Sequence, residues 1–346
     1  MKEAMFYKKG ENREVNCFLC HHHCAIKEGK KGICGVRENR EGILYSLVFG
    51  KSISESVDPI EKKPLFHFFP GSRSFSISTV GCNFKCLHCQ NSSISQMPRD
   101  QKHIAGNELH PSKVVSLAKE YDCKSISYTY TEPTIYFEYA YETAKIAKEE
   151  GIYNNFVTNG YITPEALKVI HPYLDGANID LKSFSDEFYR KVCGAKLQPI
   201  LDSITLYYKL GIWIEITTLI IPTHNDSDQE LRDIARFIKN LDECIPWHIT
   251  AYYPTYRLTD KPRTPVKTLR KAREIGLNEG LRYVYEGNMP GEGSENTFCY
   301  NCNNLLIQRL GFNITENRIK DSKCPNCQAL IDGVGAISNA DFGMRN

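Results

Sequence analysis

The sequence lacks any long apolar run. Its most apolar stretch, residues 211–222, is interrupted by Glu215, Thr217 and Thr218, whereas a membrane-spanning helix needs about 20 consecutive, mostly apolar residues. The first ten residues, MKEAMFYKKG, have neither the apolar centre nor the small-residue cleavage site of a secretory signal. These absences predict a cytoplasmic protein with no membrane association.

The sequence also has no excess of one sign of charge. It contains 43 Lys and Arg residues against 41 Asp and Glu residues, which gives a formal net charge of +2. Proteins that bind nucleic acid through bulk charge are strongly basic, and acidic disordered chains carry a large net charge of the opposite sign. The composition therefore gives no strong nucleic-acid signal and excludes an acidic disordered chain.

Cysteine is unusually abundant in this sequence. Of 14 cysteines, only Cys123, Cys193 and Cys244 stand alone; we interpret them as buried thiols, with a catalytic role for Cys193 as the alternative. Disulfide frameworks are normally found in small secreted domains, whereas a two-residue gap suits two thiolates on one metal. We therefore interpret the remaining cysteines as three groups of metal ligands: Cys17, Cys20, Cys24 and Cys34; Cys82, Cys86 and Cys89; and Cys299, Cys302, Cys324 and Cys327.

Three regions that differ in composition and residue pattern predict the domain organisation. Residues 1–72 form a cysteine-rich metal-binding segment, residues 73–292 alternate β-branched runs with helical stretches, and residues 293–346 carry two CxxC pairs. Strands are predicted at 74–80, 125–130, 153–158, 177–182, 213–221 and 247–252. Helices are predicted after them at 112–121, 134–151, 163–171, 197–210, 227–240 and 265–279, with caps at Ser112 and Thr163.

Six β/α units in succession predict the fold class. They indicate an α/β protein with an incomplete, TIM-like (β/α)6 barrel, to which residues 282–285 would add one more strand. A doubly wound open sheet is the alternative. In either architecture the chemistry belongs at the carboxyl ends of the strands. That rule selects the segments 81–91, 131–133, 159–160, 180–182, 222–226 and 252–257.

The loop after the first predicted strand has the strongest motif. It reads GCNFKCLHCQN and places Cys82, Cys86 and Cys89 in C-x3-C-x2-C spacing. Three thiolates this close can hold three irons of a cubane cluster and leave the fourth iron open to another ligand. A structural zinc site with His88 as the fourth ligand is the alternative. The position at a predicted barrel mouth favours the cluster.

This loop resembles the signature of the radical S-adenosylmethionine (SAM) superfamily. His88 stands where an aromatic residue usually precedes the last cysteine, a departure also seen in activase-like branches. The wider resemblance is to the AmmeMemoRadiSam-system radical SAM enzymes, which are relatives of the pyruvate formate-lyase activating enzymes. It covers nearly the whole chain, through the segments DPIEKKPLFHFFPG, SYTYTEPTIYFEYA, VTNG, NIDLKSF, WIEITTLIIPTHND and YVYEGN.

The resemblance implies an oxidoreductase with a [4Fe–4S] cluster on the three loop cysteines, which cleaves SAM reductively and abstracts hydrogen from a substrate. It implies that Glu132 binds the amino group of SAM, since a carboxylate accepts charge-assisted hydrogen bonds from an ammonium. A helix-start acid stabilised by the helix dipole is the alternative for Glu132. Val157 stands where activases often carry a cation-binding aspartate, which puts a monovalent cation site in doubt. The remaining predicted cofactor-binding residues are Thr158, Asn159, Asp180 and Lys182, the last facing the carboxylate of SAM.

The cysteines at the two ends predict further metal sites. The C-terminal spacing, C-x2-C-x21-C-x2-C, is close to the zinc-ribbon template, with rubredoxin-like iron as the rival. The N-terminal spacing, C-x2-C-x3-C-x9-C, suits zinc first and a second iron–sulfur cluster as the alternative, because four thiolates suit both. Zinc is therefore expected at one or two of these sites.

The resemblance also implies a substrate class and partners. By likeness to the activases, the expected substrate is a protein; a small metabolite or nucleotide is the enzymatic alternative, and a metal-ribbon binding module is the non-enzymatic one. The expected partners are a low-potential electron donor of the ferredoxin or flavodoxin type and, through the family's system, Memo-type and AMMECR-type proteins.

Overall fold

The fold is built around one eight-stranded sheet. The computed structural model describes residues 1–289 and 294–335. An antiparallel strand, Ser54–Pro59, pairs with the first of seven parallel strands, and the sheet keeps two separate edges instead of closing. The parallel strands follow one another in chain order: β1 (Arg73–Ser78), β2 (Ser125–Tyr128), β3 (Tyr153–Thr158), β4 (Gly176–Asp180), β5 (Trp213–Ile220), β6 (Trp247–Ala251) and β7 (Val284–Gly287).

Each of the first six parallel strands is followed by a helix. Because β-α-β connections are almost always right-handed, a sequential strand order places all the helices on one side of the sheet. A doubly wound sheet reverses its order at a switch point, so the observed order excludes that alternative. The α/β class is confirmed, with a seventh parallel strand and an open barrel. The helices are α1 (Pro111–Glu120), α2 (Phe137–Glu149), α3 (Pro164–Ile170), α4 (Gln198–Lys209), α5 (Asp228–Leu241) and α6 (Val266–Asn278).

Shorter elements complete the chain. Single helical turns occupy Glu11–Arg13, Ile60–Lys62, Ser92–Ser95, Met97–Asp100, Pro133–Tyr136, His171–Tyr173 and Asp186–Phe188, and a π-helical turn occupies Tyr189–Cys193. Short strands are Lys2–Glu3, Tyr7–Lys9, Val15–Cys17, Ala25–Ile26, Arg37–Arg40, Ile43–Ser46, Lys51–Ser52 and Asn107–Glu108. The C-terminal region forms a three-stranded antiparallel sheet of Thr297–Phe298, Leu305–Leu310 and Asn313–Asn317.

Local signals explain where the helices begin. The hydroxyl of Ser227 accepts a hydrogen bond from the backbone N–H of Glu230, which caps α5. The predicted cap at Ser112 is wrong: His110 holds the cap position, because Pro111 has no N–H and fits the first turn of α1. Thr163 does precede α3, but its hydroxyl donates to the carbonyl of Phe18 and makes no cap bond.

The two faces of the sheet differ in polarity. The aliphatic side chains Ile179, Ile216 and Ile249 are fully buried on adjacent strands. Strand residues alternate between the two faces of the sheet, so the residues next to these isoleucines along each strand point to the opposite face. On that opposite face the register aligns Asp180 with Thr217, Thr217 with His248, and His248 with Tyr285. A row of polar groups therefore crosses the face that α1 to α6 leave uncovered.

Two buried guanidinium groups attach the terminal regions to the rest of the chain. The guanidinium of Arg37 contacts the carboxylate of Glu138 on α2 at 3.0 Å, with both side chains 2% exposed. In the C-terminal region, the Arg309 guanidinium donates to the carbonyls of Phe66 and Glu295. The predicted boundary between residues 292 and 293 lies outside the described residues, and the division into three domains stays a prediction. None of the helices within the described ranges has the length and apolarity to span a lipid bilayer.

One buried carboxylate holds the 66–67 segment against β5 and β6. Glu215 is fully buried. Burial raises its pKa, but the facing His248 and other hydrogen-bond donors outweigh burial and hold that pKa below its usual range. Its donors are the backbone N–H groups of Phe66 (2.9 Å) and His67 (2.8 Å), Nε1 of Trp213 (3.1 Å) and Nε2 of His248 (2.6 Å).

We expect Glu215→Gln to destabilise the fold, because an amide cannot accept all four hydrogen bonds. Each buried donor left unpaired costs about 1–3 kcal/mol, measured as the free energy of unfolding in denaturant. Glu187→Gln is the matched control, since that side chain is 72% exposed and its surface ion pair contributes little.

The same pair of variants gives a pH test. The folded pKa of Glu215 lies below its unfolded value, so its stabilisation is present above about pH 4.3 and is lost as the pH falls further. The difference in unfolding free energy between wild type and Glu215→Gln should shrink on acidification. Equal stability of wild type and Glu215→Gln at neutral pH would contradict this account.

Candidate active site at the carboxyl ends of the strands

A cavity of about 470 Å³ lies at the carboxyl ends of the parallel strands. That volume is within the range of roughly 300–1,000 Å³ typical of ligand pockets. The structure brings the three loop cysteines and every predicted cofactor-binding residue to its wall: Cys82, Cys86, Cys89, Glu132, Thr158, Asn159, Asp180 and Lys182. Val157 also lines it, without a carboxylate to offer a cation.

The cysteine loop has a defined backbone path. Gly81 takes a φ of +105°, and a Cβ there would lie 2.7 Å from a methyl group of Val36, so the loop begins where only glycine fits. Segments remote in sequence then hold it: Lys85 N donates to the carbonyl of Cys193 at 2.8 Å, and Arg257 N donates to the carbonyl of Leu87 at 2.9 Å. The loop geometry is therefore tertiary in origin.

The three loop sulfurs are spread around the cavity. Within the described ranges, they do not all lie within 4.8 Å of one another, as the ligands of a single ion would. Instead, Cys86 has His88 and Cys193 as neighbours within that distance. A single-ion site there would use one loop cysteine and leave out Cys82 and Cys89. The spread favours a multi-iron cluster over the zinc alternative.

Cys193, interpreted from the sequence as a buried thiol with a catalytic role as the alternative, lies beside the loop cysteine Cys86, a placement that the sequence did not predict. Its sulfur lies within 4.8 Å of the sulfur of Cys86, and the neighbouring Cys193 thiol lowers the pKa of Cys86, while burial raises the pKa of Cys193 itself. Burial likewise raises the pKa values of Cys82 and Cys89. Cys193 ends a π-helical turn, an element that no spacing rule predicts.

Two buried polar atoms of the loop have no hydrogen-bond partner: Nδ1 of His88, which lines the cavity, and Nδ2 of Asn83. Buried polar groups are almost always satisfied, so an unpaired one at the cavity wall is consistent with a bound polar ligand. Burial, with a smaller contribution from Lys182, lowers the pKa of His88 to about 3, so its ring is neutral. The donor set and these atoms fit a polar cofactor beside an iron–sulfur cluster.

Glu132 connects the ends of two strands. Its Oε1 accepts from the backbone N–H of Thr134 (3.0 Å) and the hydroxyls of Thr134 (2.6 Å) and Thr158 (2.8 Å), and its Oε2 accepts from the backbone N–H of Asn159 (2.8 Å). Burial raises its pKa, although these donors oppose the shift. It therefore caps the turn Pro133–Tyr136 and also faces the cavity, and Oε2 keeps capacity for a further donor.

Asn159 carries this connection to the loop. Its Nδ2 lies 2.7 Å from Oδ1 of Asn83 and 3.9 Å from the sulfur of Cys82. The Glu132 carboxylate, which holds the backbone of Asn159, thereby positions a side chain that touches the first loop cysteine. Sequence reasoning placed these residues at one site but did not reveal that they form a single hydrogen-bonded chain.

Asp180 and Lys182 form an ion pair at the cavity wall. Nζ of Lys182 lies 2.7 Å from Oδ2 of Asp180, with the side chains 15% and 33% exposed. Burial lowers the pKa of Lys182, but Asp180 and the nearby thiols raise it more, so the ammonium stays charged. Asn178, on the same face, instead hydrogen-bonds with Pro64 and Thr217.

The C-terminal cysteines form a compact group. The four sulfurs lie within 4.8 Å of one another, with Cys299 and Cys327 at 3.6 Å and Cys302 and Cys324 at 3.7 Å. A tetrahedral ion with metal–sulfur bonds of about 2.3 Å separates its sulfurs by about 3.8 Å. This group can hold one metal ion.

Known proteins are similar to this chain in sequence. Residues 76–238 match the model of the Radical SAM superfamily. An uncharacterized protein of Methanocaldococcus jannaschii is 48% identical over 335 residues, which cover 96% of this chain and 99% of that protein. The pyruvate formate-lyase-activating enzyme of Clostridium pasteurianum is 25% identical over 225 residues, which cover 63% of this chain and 93% of that enzyme.

A solved structure shares the fold. Streptococcus suis SuiB bound to S-adenosylmethionine matches with a TM-score of 0.50 and 15% identity, over 66% of this chain and 53% of SuiB. At that identity the likeness concerns the fold alone. The sequence matches carry the family assignment: the chain belongs to the radical SAM superfamily and has relatives among the glycyl-radical activating enzymes.

Proposed function

We propose that this chain is an activase-like radical SAM oxidoreductase of the AmmeMemoRadiSam type that acts on a protein. The observation that carries the proposal is the convergence of the loop cysteines with Glu132, Asn159 and Lys182 on one cavity. When bound, a [4Fe–4S] cluster and SAM supply a 5′-deoxyadenosyl radical that abstracts hydrogen from the substrate. The similarity to the pyruvate formate-lyase-activating enzyme of C. pasteurianum, whose name states that it activates another enzyme, supports the proposal of a protein substrate.

The residues of this chain would hold and orient those groups. Cys82, Cys86 and Cys89 would ligate three irons and leave the fourth open. Lys182 would offer its charged ammonium to the carboxylate of SAM, and Glu132 would offer an acceptor to the amino group of SAM. The Cys193 thiol lies within 4.8 Å of the Cys86 sulfur, where it would tune that ligand.

Both terminal regions help to enclose the cavity. Pro64 and Phe66 precede the first parallel strand, Phe312 lies in the turn between the last two strands of the C-terminal sheet, and all three line the wall. Apolar side chains there would exclude water from a reactive radical. The proposed partners are a low-potential donor of the ferredoxin or flavodoxin type and proteins of the Memo and AMMECR types.

Replacing cysteines of the loop and of the C-terminal group should distinguish residues needed for SAM cleavage from residues needed for stability. We expect Cys82→Ala, Cys86→Ala or Cys89→Ala to abolish the release of 5′-deoxyadenosine from SAM under anaerobic reduction, while circular dichroism shows a folded chain. Cys299→Ala and Cys324→Ala should instead lower the melting temperature, because a structural metal contributes folding free energy directly. Cleavage that survives loss of a loop cysteine would refute the proposal, and a wild type without cleavage would favour a binding module.

Replacing Glu132 or Lys182 should weaken SAM binding without loss of the cluster. Each change leaves a partly buried charge unpaired, so Glu132→Gln and Lys182→Met should cost about 2–5 kcal/mol of binding free energy. The measurement is an anaerobic SAM titration that follows the iron–sulfur spectrum. Wild-type affinity in both variants would remove these two assignments.

Thr134→Val is the matched control for Glu132. It removes one hydroxyl donor from the carboxylate and keeps the backbone N–H bond. It should lower stability by about 0.5–1.5 kcal/mol and leave SAM affinity nearly unchanged. If Thr134→Val weakened SAM binding as much as Glu132→Gln, the carboxylate would act only as a scaffold for the strand ends.

The substrate class needs its own experiment. Candidate partner proteins and small-molecule fractions carrying deuterium would be incubated with the reduced enzyme and SAM. Deuterium in the released 5′-deoxyadenosine identifies the donor of the abstracted hydrogen. Transfer from a protein supports the proposed class, and transfer from a metabolite or nucleotide alone supports the alternative.

A further inference from the structure

The four N-terminal cysteines converge on a second, small cavity. It has a volume of about 20 Å³ and lies apart from the cavity at the strand ends. Its wall includes Arg37 and Ile135, so it lies between the N-terminal segment and the turn that follows β2. The sulfur-bearing residues on this wall are Cys17, Cys20, Cys24 and Cys34.

The separation of their sulfurs differs from that at the C-terminus. Among the residues that the structure describes, no three of the N-terminal sulfurs lie within 4.8 Å of one another, whereas all four C-terminal sulfurs do. A single tetrahedral ion would draw its four ligands to about 3.8 Å from one another. A cubane cluster binds each thiolate to a different iron, which holds the sulfurs further apart. The N-terminal arrangement has the wider spacing.

The wall of this cavity carries donors suited to sulfur ligands. The backbone N–H groups of His22, Ile33 and Val36 interact with the sulfurs of Cys20, Cys24 and Cys34 respectively. Hydrogen bonds to the sulfurs are one way in which proteins tune iron–sulfur clusters.

The guanidinium of Arg37 is an independent observation that points to a bound anionic group. It is 1% exposed, and its Nη atoms bind Glu138 and the carbonyl of Met5. Its Nε is buried without a hydrogen-bond partner. A buried guanidinium N–H beside a cavity lined by four thiols is placed to donate to a bound anionic group, and a thiolate-ligated cluster is such a group.

We propose that Cys17, Cys20, Cys24 and Cys34 hold a second [4Fe–4S] cluster. The geometry prefers the iron–sulfur alternative for these ligands over zinc. Since all four irons would have a protein thiolate, this cluster would have no open position for SAM, in contrast to the one expected on the loop. The compact C-terminal group keeps the assignment of a single ion.

The two cluster sites would share a wall. Nε2 of His22, two residues after Cys20, lies 2.8 Å from the carbonyl oxygen of Asn83 in the loop. A Cβ at Gly81 would lie 3.1 Å from the carbonyl of Cys34 and 3.5 Å from Ile135, which itself lines the N-terminal cavity. Residues at or next to the N-terminal ligands therefore lie close to the loop on both sides of Cys82.

The test removes the loop cluster and asks what remains. The full chain carrying Cys82→Ser, Cys86→Ser and Cys89→Ser together would be reconstituted anaerobically, and its iron and zinc would be measured. We expect about four irons per chain, against about eight in wild type. We also expect a paramagnetic [4Fe–4S]+ signal after reduction with dithionite. An iron-free triple variant, or one with a single iron and no reduced-cluster signal, overturns the proposal.

The complementary variant carries serine at all four N-terminal positions. It should lose about half of the wild-type iron and keep the spectral change that SAM induces at the loop cluster. Wild-type iron content in this variant contradicts the second cluster. If it does not fold, the triple loop variant still decides the question. The outcome is separate from the proposed function, since SAM cleavage depends on the loop cysteines.

Discussion

The buried carboxylate of Glu132 is the interaction on which the candidate site depends. Removing a carboxylate from water is unfavourable, and burial accordingly raises its pKa. Four donors from the turn after β2 and the end of β3 compensate. Through Asn159 and Asn83 the same carboxylate sets the strand ends against Cys82. The cysteine loop is thus positioned by polar groups that the sheet itself brings together.

Buried charges also make the terminal regions part of the same structure. Arg37 pairs with Glu138 on α2, Glu215 holds the 66–67 segment, and Arg309 reaches Phe66 from the C-terminal sheet. Removing one partner from such a contact leaves the other uncompensated, which costs far more than a surface ion pair contributes. The terminal regions are therefore coupled energetically to the strands whose ends carry the cavity.

Two groups with the same number of cysteines and the same opening C-x2-C pair form different sites in space. Both terminal groups begin with a C-x2-C pair and supply four thiols, and by spacing alone each suits zinc or iron. The folded chain separates them: one group gathers its sulfurs at 3.6–3.7 Å, and the other spreads them around a cavity with a buried, unpaired Arg37 Nε. The distance between ligands reports on the size of the group that they surround.

The sequence by itself determined the order and nearly the bounds of the parallel strands and of the helices between them, because these follow from local periodicity and from turn residues such as Asn159-Gly160 after β3. It also determined that the loop cysteines lie at the carboxyl ends of the strands, since parallel topology puts those ends together. The placement of Cys193 beside Cys86, the four bonds of Glu132 and the separation of the cysteine sulfurs were decided only by the tertiary structure. Those contacts join residues far apart in the chain, and their geometry depends on how the core packs, so no local pattern records them.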